Sequence, residues 1–259
     1  MNPGRVLVAG DVHGNLNWIR RLVKVARSQN CPVILQLGDF GAIWHRQTEK
    51  NLRNMEYSLS HHDVSLWAIG GNHEDYDGVR RFEERRDADG LVRLSPHVRW
   101  IPRGARWEWN GVAFGALGGA FSIDYLYRTA WLDWWPEDEQ LKQQDVERLG
   151  SAPLDVLVTH EAPAAVRLDV GIQLSPKDER EASKTRELID LAIQSTSPRL
   201  VLHGNWHHRH SSEILLANSA RGSETTVRVE GFASDVEHDG RAWGVLELPN
   251  LVLTGGDEL

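Results

Sequence analysis

The stretch RVLVAGDVHG at residues 5–14 decides how this chain is read. A short β-branched and aliphatic run, Arg5 to Ala9, has the composition of a strand, and it stops at a glycine followed by Asp11 and His13. The same order returns as VILQLGDFG at 33–41, VSLWAIGGNHE at 64–74, LDVLVTHE at 154–161 and RLVLHGNWH at 199–207. Each is a strand-like run ending in a small polar cluster. Ligands in α/β sheets gather beyond the carboxyl ends of strands, so this repeated placement is the main functional signal in the sequence.

Between these runs the period changes. Leu16, Ile19, Leu22, Val23 and Ala26 fall at three- and four-residue spacings, and similar amphipathic patterns cover Glu49–Leu59, Pro136–Leu149 and Asp178–Ile193. With Val98–Ile101 as a further strand, the alternation predicts an α/β fold with largely parallel pairing. Trp107–Trp109, the turn Asn110-Gly111 and Val112–Leu117 predict a mid-chain hairpin where a second sheet begins. Glu213–Ala217, Thr225–Glu230, Arg241–Leu248 and Leu251–Thr254 are separated by turn chemistry too short for crossover helices, and predict an antiparallel meander. The expected architecture is two mixed β-sheets packed face to face with helices on the outer faces. No internal repeat or linker divides the chain, so 1–259 is expected to be a single domain.

The polar clusters hold metal-ligand types. On extended chain Asp11 and His13 point to one side and can chelate one ion, while Gly14 lets the chain turn into the next helix. Asp39, Asn72, His160 and His207 follow the other runs, with Asn205 beside the last of these. Carboxylate and amide oxygens mixed with imidazoles, and no thiolate, suit manganese, iron or zinc in an open catalytic site rather than a structural cysteine site. Singly each piece has an ordinary reading: Asp-x-His is commonly a surface turn, and Asn-His a helix cap. His207, His208 and His210 look like a cluster, but strand residues alternate faces, which leaves His207 as the candidate.

Composition bounds the rest. Of 259 residues 41% are hydrophobic and 25% charged, and no apolar run approaches the roughly 18 residues of a membrane helix. Lys+Arg total 29 against 37 Asp+Glu, a formal charge of -8 that disfavours a long nucleic acid as partner. An acidic chain gathers cations and repels anionic substrates unless a local positive centre attracts them. Cys31 is the one cysteine, so no intrachain disulfide forms. With no secretory signal pattern in the first residues, a reducing, cytoplasmic location is expected. Neither a GxGxxG loop nor a P-loop occurs.

The ordered blocks DVHG at 11–14, GDFG at 38–41, GNHE at 71–74, the lone His160 and GNWH at 204–207 resemble the calcineurin-like metallophosphoesterase superfamily over residues 9–207. The resemblance implies that family's two-sheet sandwich and two divalent ions, manganese first with iron or zinc as the other candidates. It implies a first ion on Asp11, His13 and His207, a second on Asn72 and His160, and Asp39 bridging both. The implied reaction is hydrolysis of a phosphomonoester, phosphodiester or phosphoprotein by in-line attack of metal-bound hydroxide, with His73 protonating the leaving group. Asn205 stands where the family has a second-metal histidine, and an amide is the weaker donor for these ions. That departure motivates an alternative, a catalytically weakened module that binds phosphate or a partner. The segment 118–141 resembles an insertion of some bacterial and phage members, with Arg128 as a candidate phosphate contact. Trp131, Trp134 and Trp135 there fit substrate stacking or, more commonly, core packing. RRFEERRD at 80–87 fits a solvated helix face.

Overall fold

The computed structural model describes residues 1–44, 47–168, 170–217, 225–237 and 240–255. In chain order its elements are β1 (Arg5–Ala9), α1 (Leu16–Ser28), β2 (Val33–Gln36), α2 (Thr48–His62), β3 (Ser65–Ile69), α3 (Tyr76–Arg80), β4 (Val92–Arg93), β5 (Val98–Ile101), β6 (Arg106–Trp109), β7 (Val112–Leu117), α4 (Gln143–Leu149), β8 (Val156–Thr159), α5 (Pro176–Thr196), β9 (Leu200–His203), β10 (His210–Leu216), β11 (Thr225–Gly231), β12 (Trp243–Glu247) and β13 (Val252–Gly255). Among the described residues one sheet has seven strands, ordered β13-β12-β1-β2-β3-β5-β4, and the other six, ordered β10-β11-β9-β8-β7-β6. The expected pair of mixed sheets is what forms. No described helix is long and apolar enough to cross a membrane.

Side chains alternate across a strand, and here both faces are covered, which is why the central strands read as unbroken apolar runs. Val6, Val8 and Leu35 point between the sheets and meet Phe114, Val158 and Leu202 from the other side. Leu7 and Ala9 face outward onto Ile19 and Leu22 of α1. On the far side, Leu157 and Val201 pack beneath Ile189 and Ile193 of α5. Each fully buried aliphatic side chain of this size contributes roughly 1.5–3 kcal/mol. The parallel pairs β1/β2, β2/β3, β7/β8 and β8/β9 therefore sit in the middle of the sandwich, and their carboxyl ends share one rim.

Three local expectations are corrected. The C-terminal strands do not form one meander: β11 pairs with β10 but runs parallel to β9, while β12 and β13 cross to the other sheet, where β12 lies antiparallel to β1. Turn composition excludes a helix but does not say which sheet edge a hairpin completes. The turn expected at 218–224 lies outside the described residues, as do His238 and Asp239 of the next one. The second correction concerns Pro136–Leu149, where only Gln143–Leu149 is helical. The helix begins where Lys142 N–H donates to Asp145 (3.0 Å), and the preceding residues instead wrap the buried Glu139. The third is RRFEERRD, which is exposed in the main but breaks after Arg80 into a short 3-10 turn at Glu83–Arg85.

Candidate metal centre

The clusters that end β1, β2, β3, β8 and β9 converge on the shared rim. The turn out of each strand is tight, and His13 (φ 42°), Asp39 (φ 51°), Asn205 (φ 62°) and His207 (φ 49°) all occupy the left-handed region. Such conformations cost about 1–3 kcal/mol each and concentrate at functional sites, where surrounding packing holds them. Asp11 and His13 thus come together through a turn and not through the extended geometry expected of them. Gly71 permits the closest approach: a Cβ there would lie 2.1 Å from Asp39 Oδ1 and 2.8 Å from His160 Nε2.

Two sets of potential ligand atoms result, each within 4.8 Å of one another: Asp11, His13 and His207, and Asp11, Asp39 and His160. Asp39 divides its oxygens between them. Its Oδ2 is 3.6 Å from His13 Nε2, and its Oδ1 is 3.3 Å from His160 Nε2. Asn72 joins the second set, its Oδ1 lying 3.1 Å from the same His160 nitrogen. Both histidines have their other nitrogen occupied: His160 Nδ1 contacts the Leu37 carbonyl (2.7 Å) and His13 Nδ1 the Asp235 carboxylate (2.8 Å). An acceptor at Nδ1 places the proton there and turns an Nε2 lone pair toward the centre, the arrangement metal-ligating histidines use.

The donor set fits a divalent ion on a further count. Asp11 is fully buried, and its Oδ2 has no hydrogen-bond partner although His207 Nε2 is 3.0 Å away. A buried carboxylate oxygen beside an imidazole nitrogen without a hydrogen bond is satisfied by a cation held between them. The field points the same way. Burial opposes charge on His13, yet Asp235 and Asp39, with Asp11 nearby, push it up to about 11. Burial likewise opposes charge on His160, and Asp39 and Asp11 push it up to about 9. Asp39, which burial alone would raise, is held well below the carboxylate range by the histidines around it. These carboxylates call for positive charge, which a metal supplies as readily as protons.

His73 sits on the rim with its backbone N–H donated to Asp39 Oδ1 (2.8 Å) and its ring Nε2 3.8 Å from Asp124 Oδ2. Burial holds its imidazole below the usual value, with the Asp39 charge opposing. Asn205 donates its backbone N–H to Asp11 (3.1 Å), but its amide nitrogen is turned to the buried Glu161 (2.9 Å). Arg128 does not reach outward: its side chain is 7% exposed and its guanidinium donates to Ser122, to Glu139 and to the Asn72 and Asp133 carbonyls. Of the three tryptophans, Trp135 is core and bonds Asp77 (3.0 Å), Trp134 packs on Tyr125, and Trp131 is exposed. A cleft of about 680 Å³ opens from His13 and His73 past Trp44 toward Arg20 and Lys50, the local positive charge that an acidic chain needs to admit an anion.

Sequence reasoning missed the residues that brace these candidate ligands. Glu74 accepts N–H groups from Phe40 (2.7 Å), Gly41 (3.1 Å) and Gly71 (3.3 Å), tying two ligand loops together, and burial pushes its carboxyl up to about 8. Its signal was present, since it closes the GNHE block. Glu161, next to His160, was legible in the same way. Asp235 was not, because it reaches His13 and Asn15 only after the chain has crossed between sheets.

A two-sheet α/β sandwich with histidine–carboxylate clusters at its strand ends defines a metal-binding enzyme class. The sequence profile of the calcineurin-like phosphoesterases matches residues 4–209, and the chain belongs to that family. Its coarse activity is accordingly metal-dependent phosphoester hydrolysis. Solved structures with the same fold include a protein of Thermus thermophilus, 14% identical with a TM-score of 0.56 over 99% of each chain. Another is described as a dimetal phosphatase from Danio rerio, 13% identical with a TM-score of 0.57 over 100% of this chain and 98% of that one. No curated protein matches the sequence.

Proposed function

We propose that the chain, as one domain over 1–259, hydrolyses a phosphomonoester, phosphodiester or phosphoprotein with two divalent ions, manganese foremost. Asp11, His13 and His207 would hold one ion, Asn72 and His160 the other, and Asp39 both. The observation that carries this reading is the division of the two Asp39 oxygens between the histidine sets. Ions held there would polarise the phosphoryl oxygens and a water for in-line displacement. His73, whose backbone N–H is fixed on Asp39, stands beside that place, and its imidazole gives a proton to the leaving oxygen. Arg20 and Lys50 attract the anionic substrate along the cleft. The buried thiol of Cys31 suits a reducing, cytoplasmic setting. The test is metal content by elemental analysis together with turnover of p-nitrophenyl phosphate and bis(p-nitrophenyl) phosphate. Two ions per chain and metal-dependent release of nitrophenol are expected; no turnover with metal bound would defeat the reading.

The His73 assignment has its own check. Poor leaving groups need a proton and nitrophenolate does not, so His73→Ala should slow an alkyl phosphate about 10²- to 10⁴-fold and the nitrophenyl ester far less. Equal slowing of both would make His73 a positioning residue.

The second reading, a weakened phosphate- or partner-binding module, is motivated by donor strength: with its amide nitrogen held by Glu161 (2.9 Å), Asn205 has only an amide oxygen to offer, a weaker donor than imidazole for these ions. If this position limits occupancy of the second site, Asn205→His should tighten the weaker metal step about tenfold, equivalent to about 1.4 kcal/mol. Turnover should rise most at low metal concentration. Metal titrations of activity for both proteins decide it: equal midpoints and equal maximal rates would mean that Asn205 already serves as well as histidine.

A further inference from the structure

We propose that Ser122, Arg128 and Glu139, all in the 118–141 segment, are positioning residues that hold the Asn72 amide with its oxygen turned into the metal centre. The inference rests on Asn72 being a ligand of the second ion. An amide can present either end to a cation, and only the oxygen has a lone pair to give. What fixes the end presented is the hydrogen-bond partner of the other.

That partner is Ser122, which is buried and whose hydroxyl is fully committed. Arg128 Nη1 lies 2.7 Å from Ser122 Oγ, and a guanidinium only donates, so one oxygen lone pair accepts from it. Glu139 Oε2 lies 2.5 Å away and takes the hydroxyl proton. One lone pair is left, and it faces Asn72 Nδ2 at 3.2 Å. Asn72 must therefore donate to Ser122, and its Oδ1 is left at 3.1 Å from His160 Nε2. Arg128 adds a contact to the Asn72 carbonyl (3.3 Å) and pairs with Glu139 Oε1 (3.1 Å), while Trp135 N–H also donates to that oxygen (3.1 Å). Every polar atom of the relay has one consistent role, and such a satisfied buried network rigidifies what it touches. With its guanidinium spent on Ser122, Glu139 and two carbonyls, Arg128 acts on Asn72 and not on the substrate phosphate.

The test is a calorimetric Mn²⁺ titration of the metal-free chain at pH 8, above the value of about 7 to which burial pushes Glu139. Asn72→Ala serves as the reference, and should weaken the weaker of two Mn²⁺ steps. Ser122→Ala frees the amide. Glu139→Gln replaces an acceptor by a group that also donates, which sends the Ser122 proton toward Asn72 and favours the reversed amide. Both variants should weaken that same step about tenfold and leave the tighter step unchanged. Inorganic phosphate should inhibit the Mn²⁺-saturated variants, Arg128→Lys included, with constants within about twofold of the parent. The proposal is overturned if Asn72→Ala weakens the second step while Ser122→Ala and Glu139→Gln do not, even if their metal-free thermal midpoints fall, since that is a purely structural role. It is also overturned if Arg128→Lys loses phosphate affinity with Mn²⁺ binding intact. Should Asn72→Ala change neither step, the ligand reading itself fails and the positioning role with it.

Discussion

Asp39→Asn should abolish metal-dependent turnover, a fall of at least about 10³-fold, while the chain remains folded. Losing the contribution of a correctly held ion removes several kcal/mol of charge stabilisation, and about 4 kcal/mol already corresponds to three decades of rate. The amide supplies one oxygen where the carboxylate supplies two, and its nitrogen would face an imidazole lone pair on one side or the other. The fold should survive the change because the remaining oxygen can still accept the His73 backbone N–H, although His13 and His160 lose the carboxylate that pairs with them. Circular dichroism of the metal-free variant should show a cooperative melt with a lowered midpoint and an unchanged native spectrum. A near-parental rate in a metal-replete assay would refute the bridging role.

Gly71→Ala should damage the centre without touching a ligand. The added methyl would stand 2.1 Å from Asp39 Oδ1 and 2.3 Å from the Asp39 backbone nitrogen, and backbone cannot swing aside as a flexible side chain can. Relief requires the Asp39 loop to move away from the turn after β3 that carries Asn72, separating candidate ligands whose spacing would set ion affinity. Turnover should fall by at least about 10²-fold, since a misplacement of about 1 Å carries that cost, and stability should fall by about 1–3 kcal/mol as for other overpacked sites. Gly4→Ala, with nothing within 4 Å of the new methyl, is the control and should change neither. If Gly71→Ala kept normal turnover and metal content, the closeness of these loops would not matter to the site.

Much of this was legible from the chain because it is local. The central strands are buried on both faces, so their apolar runs announced them, and the candidate ligands follow directly at their carboxyl ends. Asp11, His13, Asp39, Asn72, His160 and His207 could be singled out as candidate ligands without coordinates for that reason. Helices with one covered face, such as α1, show their period equally well. The failures share a cause. Pro136–Leu149 has helical spacing, but its first half is committed to wrapping Glu139, a contact made with Ser122 and Arg128 that no periodicity encodes. Arg128, a candidate phosphate contact by its chemistry, has partners in Ser122, Glu139 and two carbonyls that no periodicity reveals either.

By itself, then, the sequence determined where most strands and helices lie and which candidate ligand types follow the strands, since both follow from backbone periodicity and local side-chain chemistry, while the departure at Asn205 came from the resemblance to the family. The tertiary structure alone decided which sheet each C-terminal hairpin completes, how Asp39 shares its oxygens, and that Asp235 meets His13 and Ser122 meets Asn72. Those outcomes depend on pairing edges and filling space between residues as far apart as His13 and Asp235, separated by 222 positions. Long-range contacts of that kind are fixed by the whole packed core, and no short stretch of chain carries them.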